Sequence, residues 1–182
     1  MTKIPLTRHD VTTEKQSAIR NTVSEATEIT GLAQLATKQE ADALLALLID
    51  PAISDPIYSL PKPISRDSVE SFIQRHLRER ERGEGLLFVS IDGKEAAAAY
   101  HDIQLWPQWA ACELGGAIRT DKQHAKAGLS GAATAFDWLF NEIGVEFQLS
   151  DLQLGSLSGL AFAVIYVLLG FPVAKLSVPG RR

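Results

Sequence analysis

Cysteine is almost absent from this chain: Cys112 is the single one among 182 residues. That excludes an internal disulfide framework and fits a reducing cytoplasm, the expected location. Excess positive charge is lacking too. The 18 Lys and Arg stand against 22 Asp and Glu, for a net charge of −4, so no global attraction to nucleic acid or to an anionic membrane is expected. No apolar run stands behind Lys3 and Arg8, and no signal peptide is expected. The strongly apolar stretch 160–171, at about 12–15 residues, is short for a bilayer span of about 20 and reads as a buried helix. Membrane-surface association through it is the weaker reading, because flanking basic residues are missing.

What is present is the composition of a soluble globular protein, 46% hydrophobic and 22% charged, in a chain long enough for a sizeable core. No internal repeat is visible. Residues 1–25 are polar and weakly periodic and read as a flexible arm, although Thr12-Thr13-Glu14-Lys15 can start a short helix. Residues 26–182 read as one domain. A strand is expected over 27–36, carrying Ile29, Leu32 and Leu35. Thr37-Lys38-Gln39-Glu40 is a capping-box signature for a helix with Ala41, Leu44, Leu45 and Leu48 on one face, stopped at Asp50-Pro51. Pro56, Pro61 and Pro63 make 54–64 a loop, with Tyr58 inside it. Asp67-Ser68-Val69-Glu70 can cap a helix with Val69, Phe72, Ile73 and Leu77 inward. The charge run over 75–82 reads as its solvated face, and Gly83 and Gly85 end it. Asp92-Gly93 marks a hairpin between strands at 86–91 and 95–103. Trp106, Pro107 and Trp109 fall in a connecting loop over 105–111, where the tryptophans either wall a substrate pocket or anchor the loop. His9 and His76 read as solvated. His101-Asp102 reads as a strand-end hydrogen bond, since no second His or Cys stands at ligand spacing; no metal site is expected.

The chain is organised around 112–142. Cys112, Leu114, Ala117 and Ile118 suit a buried strand, and Gly115-Gly116 inside it marks a bulge or a close backbone approach. A polar loop follows over 119–127. From Gly128 the apolar residues Leu129, Ala132, Ala133, Phe136, Leu139, Phe140 and Ile143 fall at helical spacing. A loop ending at a helix start gathers unpaired N–H groups and the positive end of the helix dipole, which suits a phosphate. The plain alternative is an ordinary strand–loop–helix connection. Beyond it, alternation over 145–152 reads as a strand, 155–159 as a small-residue loop and 172–182 as a tail with one strand.

Within that stretch, Gln123-His124-Ala125-Lys126-Ala127-Gly128 resembles the pyrophosphate loop of the GNAT acetyltransferases, Gln/Arg-x-x-Gly-x-Gly/Ala. Gln123 and Gly128 match its ends; Lys126 stands where the family has its middle glycine. Glu113-Leu114-Gly115 resembles the strand before that loop, and Asp137-Trp138-Leu139-Phe140 the end of the helix after it. The run TEITGLAQLATKQEADALLALLIDPAI is similar to the opening of the GNAT branch that acetylates N-termini of ribosomal proteins. Leu169-Gly170-Phe171 resembles the end of the last GNAT helix. Counting back, Tyr166 falls on the family tyrosine that faces the CoA sulfur, Gly159 on its asparagine and Phe162 on its small Ala/Ser position. The resemblance covers roughly 26–178.

The resemblance implies an α+β fold, a mostly antiparallel sheet of six to seven strands flanked by helices, with the cofactor between splayed central strands. It implies acetyl transfer from acetyl-CoA, as co-substrate, to a primary amine on a peptide N-terminus or a small molecule, by direct attack in a ternary complex. Glu113 is then the candidate base and Tyr166 the candidate acid. N–H groups freed by a bulge near 115–117 would meet the oxyanion. Ala117, Ile118, Gln123, His124, Ala125, Lys126, Ala127, Gly128 and Leu129 would bind the cofactor, and Tyr58, Trp106 and Trp109 would border the acceptor. Structural roles for Glu113 and Tyr166 are the alternatives. No nucleic acid, membrane or metal partner is implied; a homodimer is left open. The rival is a non-catalytic GNAT-like binding domain, to which Lys126, Gly159 and Phe162 point.

Overall fold

The first strand breaks at Gly31. In the computed structural model, which describes residues 10–93, 96–125 and 127–145, the stretch 27–36 forms two short strands, β1 (Glu28–Ile29) and β2 (Ala33–Leu35). Gly31 turns the chain between them at φ 72°, a conformation glycine adopts without steric cost. β3 (Gly85–Ser90), β4 (Ala99–Trp106) and β5 (Ala111–Ile118) complete a five-stranded sheet in the order β1-β2-β3-β4-β5, antiparallel throughout. This is the expected mixed α/β architecture. The further strands expected at 145–152 and 172–182 lie outside the described residues, Val145 apart. The chain divides into two compact units, Met1–Glu146 and Phe147–Arg182; the described residues belong to the first.

Caps and stripes account for the helices. Thr37 and Glu40 form the expected capping box, Glu40 Oε2 accepting from the Thr37 N–H at 2.8 Å, ahead of α2 (Ala41–Leu48). Asp50 caps α3 (Pro51–Ser54) by accepting from the Ala52 N–H at 3.0 Å. α4 (Arg66–Glu81) is capped by Ser65 and Ser68 rather than by Asp67, because Ser65 is the residue still in extended conformation. α4 buries Val69, Phe72, Ile73 and His76, an i, i+3, i+4, i+7 stripe. Leu77, expected inward, is only partly buried.

The expected arm is a helix over its second half. Thr13–Glu25 form α1, capped by Thr12, with Ile19 and Val23 buried. Two inward residues make too weak a period to be seen in sequence, and tertiary contacts supply the rest. α1 runs so close to the end of α4 that a Cβ on Gly83 (φ 70°) would meet Arg20 Cα at 2.5 Å. Arg80 Nε also donates to the Ala26 carbonyl at 2.9 Å.

Strand alternation divides the core between the two faces of the sheet. Leu87, Val89 and Tyr100 pack with Leu44, Leu48, Phe72 and Ile73 on one side. Leu86, Phe88, Ile103 and Leu105 pack with Ile19, Val23, Ala135, Leu139 and Ile143 on the other. Each fully buried aliphatic or phenyl side chain contributes about 1.5–3 kcal/mol. Ala135 belongs to α5 (Ala127–Trp138), which runs into a π-turn over Leu139–Ile143. Leu129 and Phe136, expected on the inward stripe of α5, are 75% and 39% exposed.

Candidate active site

The β4–β5 ladder is in register without interruption from Ala99↔Ile118 to Trp106↔Ala111. Gly115-Gly116 is therefore a close approach and not a bulge. Gly116 has φ 144°, and a Cβ there would lie 2.2 Å from the Tyr100 carbonyl oxygen. The expected N–H groups freed by a bulge are not part of the site. A cavity lies on each face of the sheet here, and Tyr100, Gly115 and Gly116 line both.

The cavity on the α4 face, of about 460 Å³, is the polar one. Glu113 and Tyr58, two of the residues expected at the site, meet there. Tyr58 is 93% exposed at the rim. Glu113 projects from β5 opposite Gln104 and is exposed, with no hydrogen bond or ion pair to the described residues. Asp102, His76 and Glu79 line the same cavity; in the sequence they read as a strand-end hydrogen-bonding group, a solvated histidine and part of a solvated charge run. His76 is not solvated; it is 3% exposed. Its Nδ1 lies 2.9 Å from the Phe72 carbonyl oxygen and its Nε2 3.0 Å from Asp102 Oδ1. The stripe 69/72/73/76 was the signal that places it inward. Burial, with the Asp102 charge added, pushes the Tyr100 phenol above its ordinary pKa, so it stays protonated.

The cavity on the α5 face, of about 540 Å³, is apolar. Ala117, Ile118 and Gly128, all expected at the cofactor, line it together with Lys122, Gly131 and Ala132. His101 also faces it, on the opposite side of β4 from Asp102, so the neighbours in sequence do not pair. His101 is buried, its Nε2 lacks a hydrogen-bond partner among the described residues, and desolvation lowers its pKa. Cys112 sits on this face of the sheet, where burial pushes its thiol up to about 11.

The loop joining β5 to α5 is a 3₁₀ turn over Thr120–Ala125, running almost directly into the N-terminus of α5. Arg119 anchors it. Its guanidinium reaches Asp92 at 2.6 Å and Asp121 at 2.7 Å and donates to the Ala96 carbonyl at 3.0 Å; these bonds hold its pKa above the ordinary value. Lys122 Nζ lies 3.3 Å from Asp92. Gln123 is exposed, and its side chain donates to the Ile118 carbonyl at 3.1 Å. His124 and Ala125 end the 3₁₀ turn and Ala127 begins α5. Leu129 is on the first turn of α5 but not on the wall of the apolar cavity. Lys126, Tyr166, Gly159 and Phe162 lie outside the described residues. Trp106 and Trp109 are not on the wall of the polar cavity. They belong to the tight corner between β4 and β5, where β4 continues to Trp106 and a 3₁₀ turn over Pro107–Trp109 reverses the chain at Ala110 (φ 46°). The expected loop is too short to reach over the cavity.

This architecture is shared with solved structures. A ribosomal-protein-S5-alanine acetyltransferase from Vibrio fischeri superposes with a TM-score of 0.54 at 11% identity, over 70% of this chain and 76% of that one. A protein from Vibrio cholerae assigned as a ribosomal-protein-serine acetyltransferase superposes with a TM-score of 0.51 at 16% identity, over 67% and 71%. Both belong to the GNAT superfamily, so the fold is GNAT-like, as the resemblance in sequence implies. No family model and no curated protein matches the sequence significantly.

Proposed function

We propose that this protein transfers an acetyl group from acetyl-CoA to a primary amine, by direct attack with both substrates bound. The observation that carries this reading is the pair of cavities meeting at Tyr100, Gly115 and Gly116 through one ladder of a GNAT-like sheet. One cavity is apolar and adjoins a helix N-terminus; the other is polar and holds a carboxylate that has no partner among the described residues. A donor and an acceptor entering from opposite faces would meet at the two glycines.

The apolar cavity fits the donor. Gly128, Gly131 and Ala132 leave room for a chain beside the start of α5, and the N–H groups of that first turn, with the helix dipole, attract phosphate. Acetyl-CoA supplies an activated thioester. The protein's own task is to deliver the amine as its free base, because an ammonium has no lone pair for attack. Glu113, without a partner among the described residues and on the wall of the acceptor cavity, accepts that proton. Tyr166 is proposed as the donor to the departing thiolate, on the resemblance alone. Tyr58 at the rim offers a ring against which an acceptor can lie.

The test is calorimetry with acetyl-CoA and CoA, followed by an assay of a panel of amines and N-terminal peptides. Binding followed by amine-dependent release of CoA is the expected result. Binding without transfer to any amine would favour a non-catalytic GNAT-like domain. No binding at millimolar ligand, and no rise in melting temperature by mass action, would end the acetyltransferase reading.

A further inference from the structure

The wall of the apolar cavity includes a polar side chain that the described residues leave unpaired. Ser90 and Lys122 on that wall are engaged elsewhere: Ser90 Oγ donates to the Leu32 carbonyl at 2.8 Å, and Lys122 Nζ lies 3.3 Å from Asp92. The ring of Tyr100 packs into the core on the α4 side of the sheet. His101 remains. It is 9% exposed, and neither ring nitrogen has a hydrogen-bond partner among the described residues. Of the two, Nε2 is the one shut away from open space. Burial favours the neutral ring, which carries one N–H and one lone pair. Its complement is a group that donates or accepts a single hydrogen bond inside an apolar space. Position narrows the choice. His101 stands opposite Gly116 in the ladder, and a Cβ on Gly131 would lie 3.9 Å from its Cε1. Gly131 is about 4.5 Å along α5 from Gly128, and the wall continues to Phe136, about 7.5 Å further. The ring therefore lies partway along the cavity, inward of the helix start.

We propose that His101 is the hydrogen-bond partner of the donor's pantetheine arm and engages one of its amides; the proposal rests on the acetyltransferase reading. The arm is a flexible, largely apolar chain interrupted by amide groups. With its phosphates at the start of α5, its first part lies beside Gly128 and Gly131. An amide buried there needs a partner, because an unpaired amide in apolar surroundings is costly. The backbone of β4 cannot serve, since it is paired with β3 on one edge and with β5 on the other. His101 can, by donating to the amide carbonyl or accepting from its N–H. Both costs then disappear together, that of the unpaired ring and that of the unpaired amide. A plain hydrocarbon chain would fill the same cavity and leave the ring unpaired, so His101 favours a pantetheine thioester over a fatty chain. The contact is a hydrogen bond only, and no proton is transferred. His101 binds and positions the donor and takes no part in breaking the thioester.

The experiment is calorimetry of the parent, His101→Leu and His101→Gln with CoA, with acetyl-CoA and with the nucleotide half of CoA alone, the phosphorylated adenosine diphosphate that lacks the arm. His101→Leu should weaken CoA and acetyl-CoA by about tenfold each, as expected for the loss of one buried hydrogen bond. It should leave the nucleotide half unchanged. In the amine assay the loss should fall on the KM for acetyl-CoA, with kcat near the parental value. His101→Gln keeps a donor and an acceptor and should recover much of the affinity. Nitrogen-15 spectra of the parent should show the His101 ring signals moving when CoA is added and staying in place when the nucleotide half is added. That measurement uses no variant, so a His101→Leu protein that does not fold still leaves the proposal open to refutation. Ring signals unmoved by bound CoA, or a His101→Leu protein that binds CoA as the parent does, would overturn the role of His101 and leave the acetyltransferase reading standing. Equal weakening of CoA and of its nucleotide half would do the same, by placing the effect at the phosphates. A parent that binds neither CoA nor acetyl-CoA would overturn both.

Discussion

A Cβ on Gly116 would stand 2.2 Å from the carbonyl oxygen of Tyr100, closer than any real side chain is tolerated. The contact joins the two central strands where both cavities begin, so the same absent side chain serves packing and site alike.

Gly116→Ala is therefore expected to destabilise the fold by about 2–4 kcal/mol, combining a backbone clash with strain at φ 144°. Gly131→Ala is the contrasting case. Its Cβ would meet Leu32 Cδ1 at 3.6 Å and His101 Cε1 at 3.9 Å, ordinary contacts, in a helix interior where alanine is favoured by about 0.5–1 kcal/mol. Denaturant unfolding of the two variants should give shifts of opposite sign.

Glu113→Gln should leave folding unchanged, since the side chain is exposed and without partners among the described residues. It should lower kcat by about 10²–10⁴-fold at neutral pH if the carboxylate is the base. Partial recovery at high pH is expected, where the amine no longer needs to give up a proton. A variant equal to the parent at every pH would place the base elsewhere.

His101 should make the fold sensitive to acid. Burial holds its folded pKa below the ordinary histidine value, so the unfolded chain binds the proton first as pH falls. Its contribution to stability is complete above about pH 6.5 and declines below it, by at most about 1.4 kcal/mol per pH unit. His101→Gln should flatten that part of the stability–pH curve relative to the parent. An unchanged slope between pH 7 and about pH 5 would show that other groups carry it.

Arg119 ties the turn at Asp92 to the loop before α5 with a side chain only 12% exposed. Arg119→Gln leaves Asp92 and two backbone carbonyls short of donors, and should cost about 1–3 kcal/mol. Because Asp92 also meets Lys122, the loop should shift and weaken acetyl-CoA binding as measured by calorimetry. Stability lost with unchanged affinity would separate the anchor from the cofactor loop.

Much of the architecture could be read along the chain because it is encoded within a turn or two of backbone. The Thr37–Glu40 capping box, the inward stripe of α4 and the hairpin at Asp92-Gly93 each depend on residues a few positions apart. The same is true of Glu113: its place on a strand beside two glycines was visible, and the cavity was found around it. Where the local signal was thin the reading failed. α1 shows only two buried residues, Gly31 was not seen to split the first strand, and whether the tryptophans wall a pocket or anchor a loop could not be read from their spacing.

Relations between elements were another matter. His76 and Asp102 are 26 residues apart, a separation with no helical or strand meaning, and they meet only because α4 packs on that face of the sheet, chiefly against β3. His101 and Asp102 are adjacent, yet strand alternation sends one into the apolar cavity and the other into the polar one. Local periodicity states which side of an element a residue occupies. What that side faces depends on register and docking, which arise from packing the two cores as a whole.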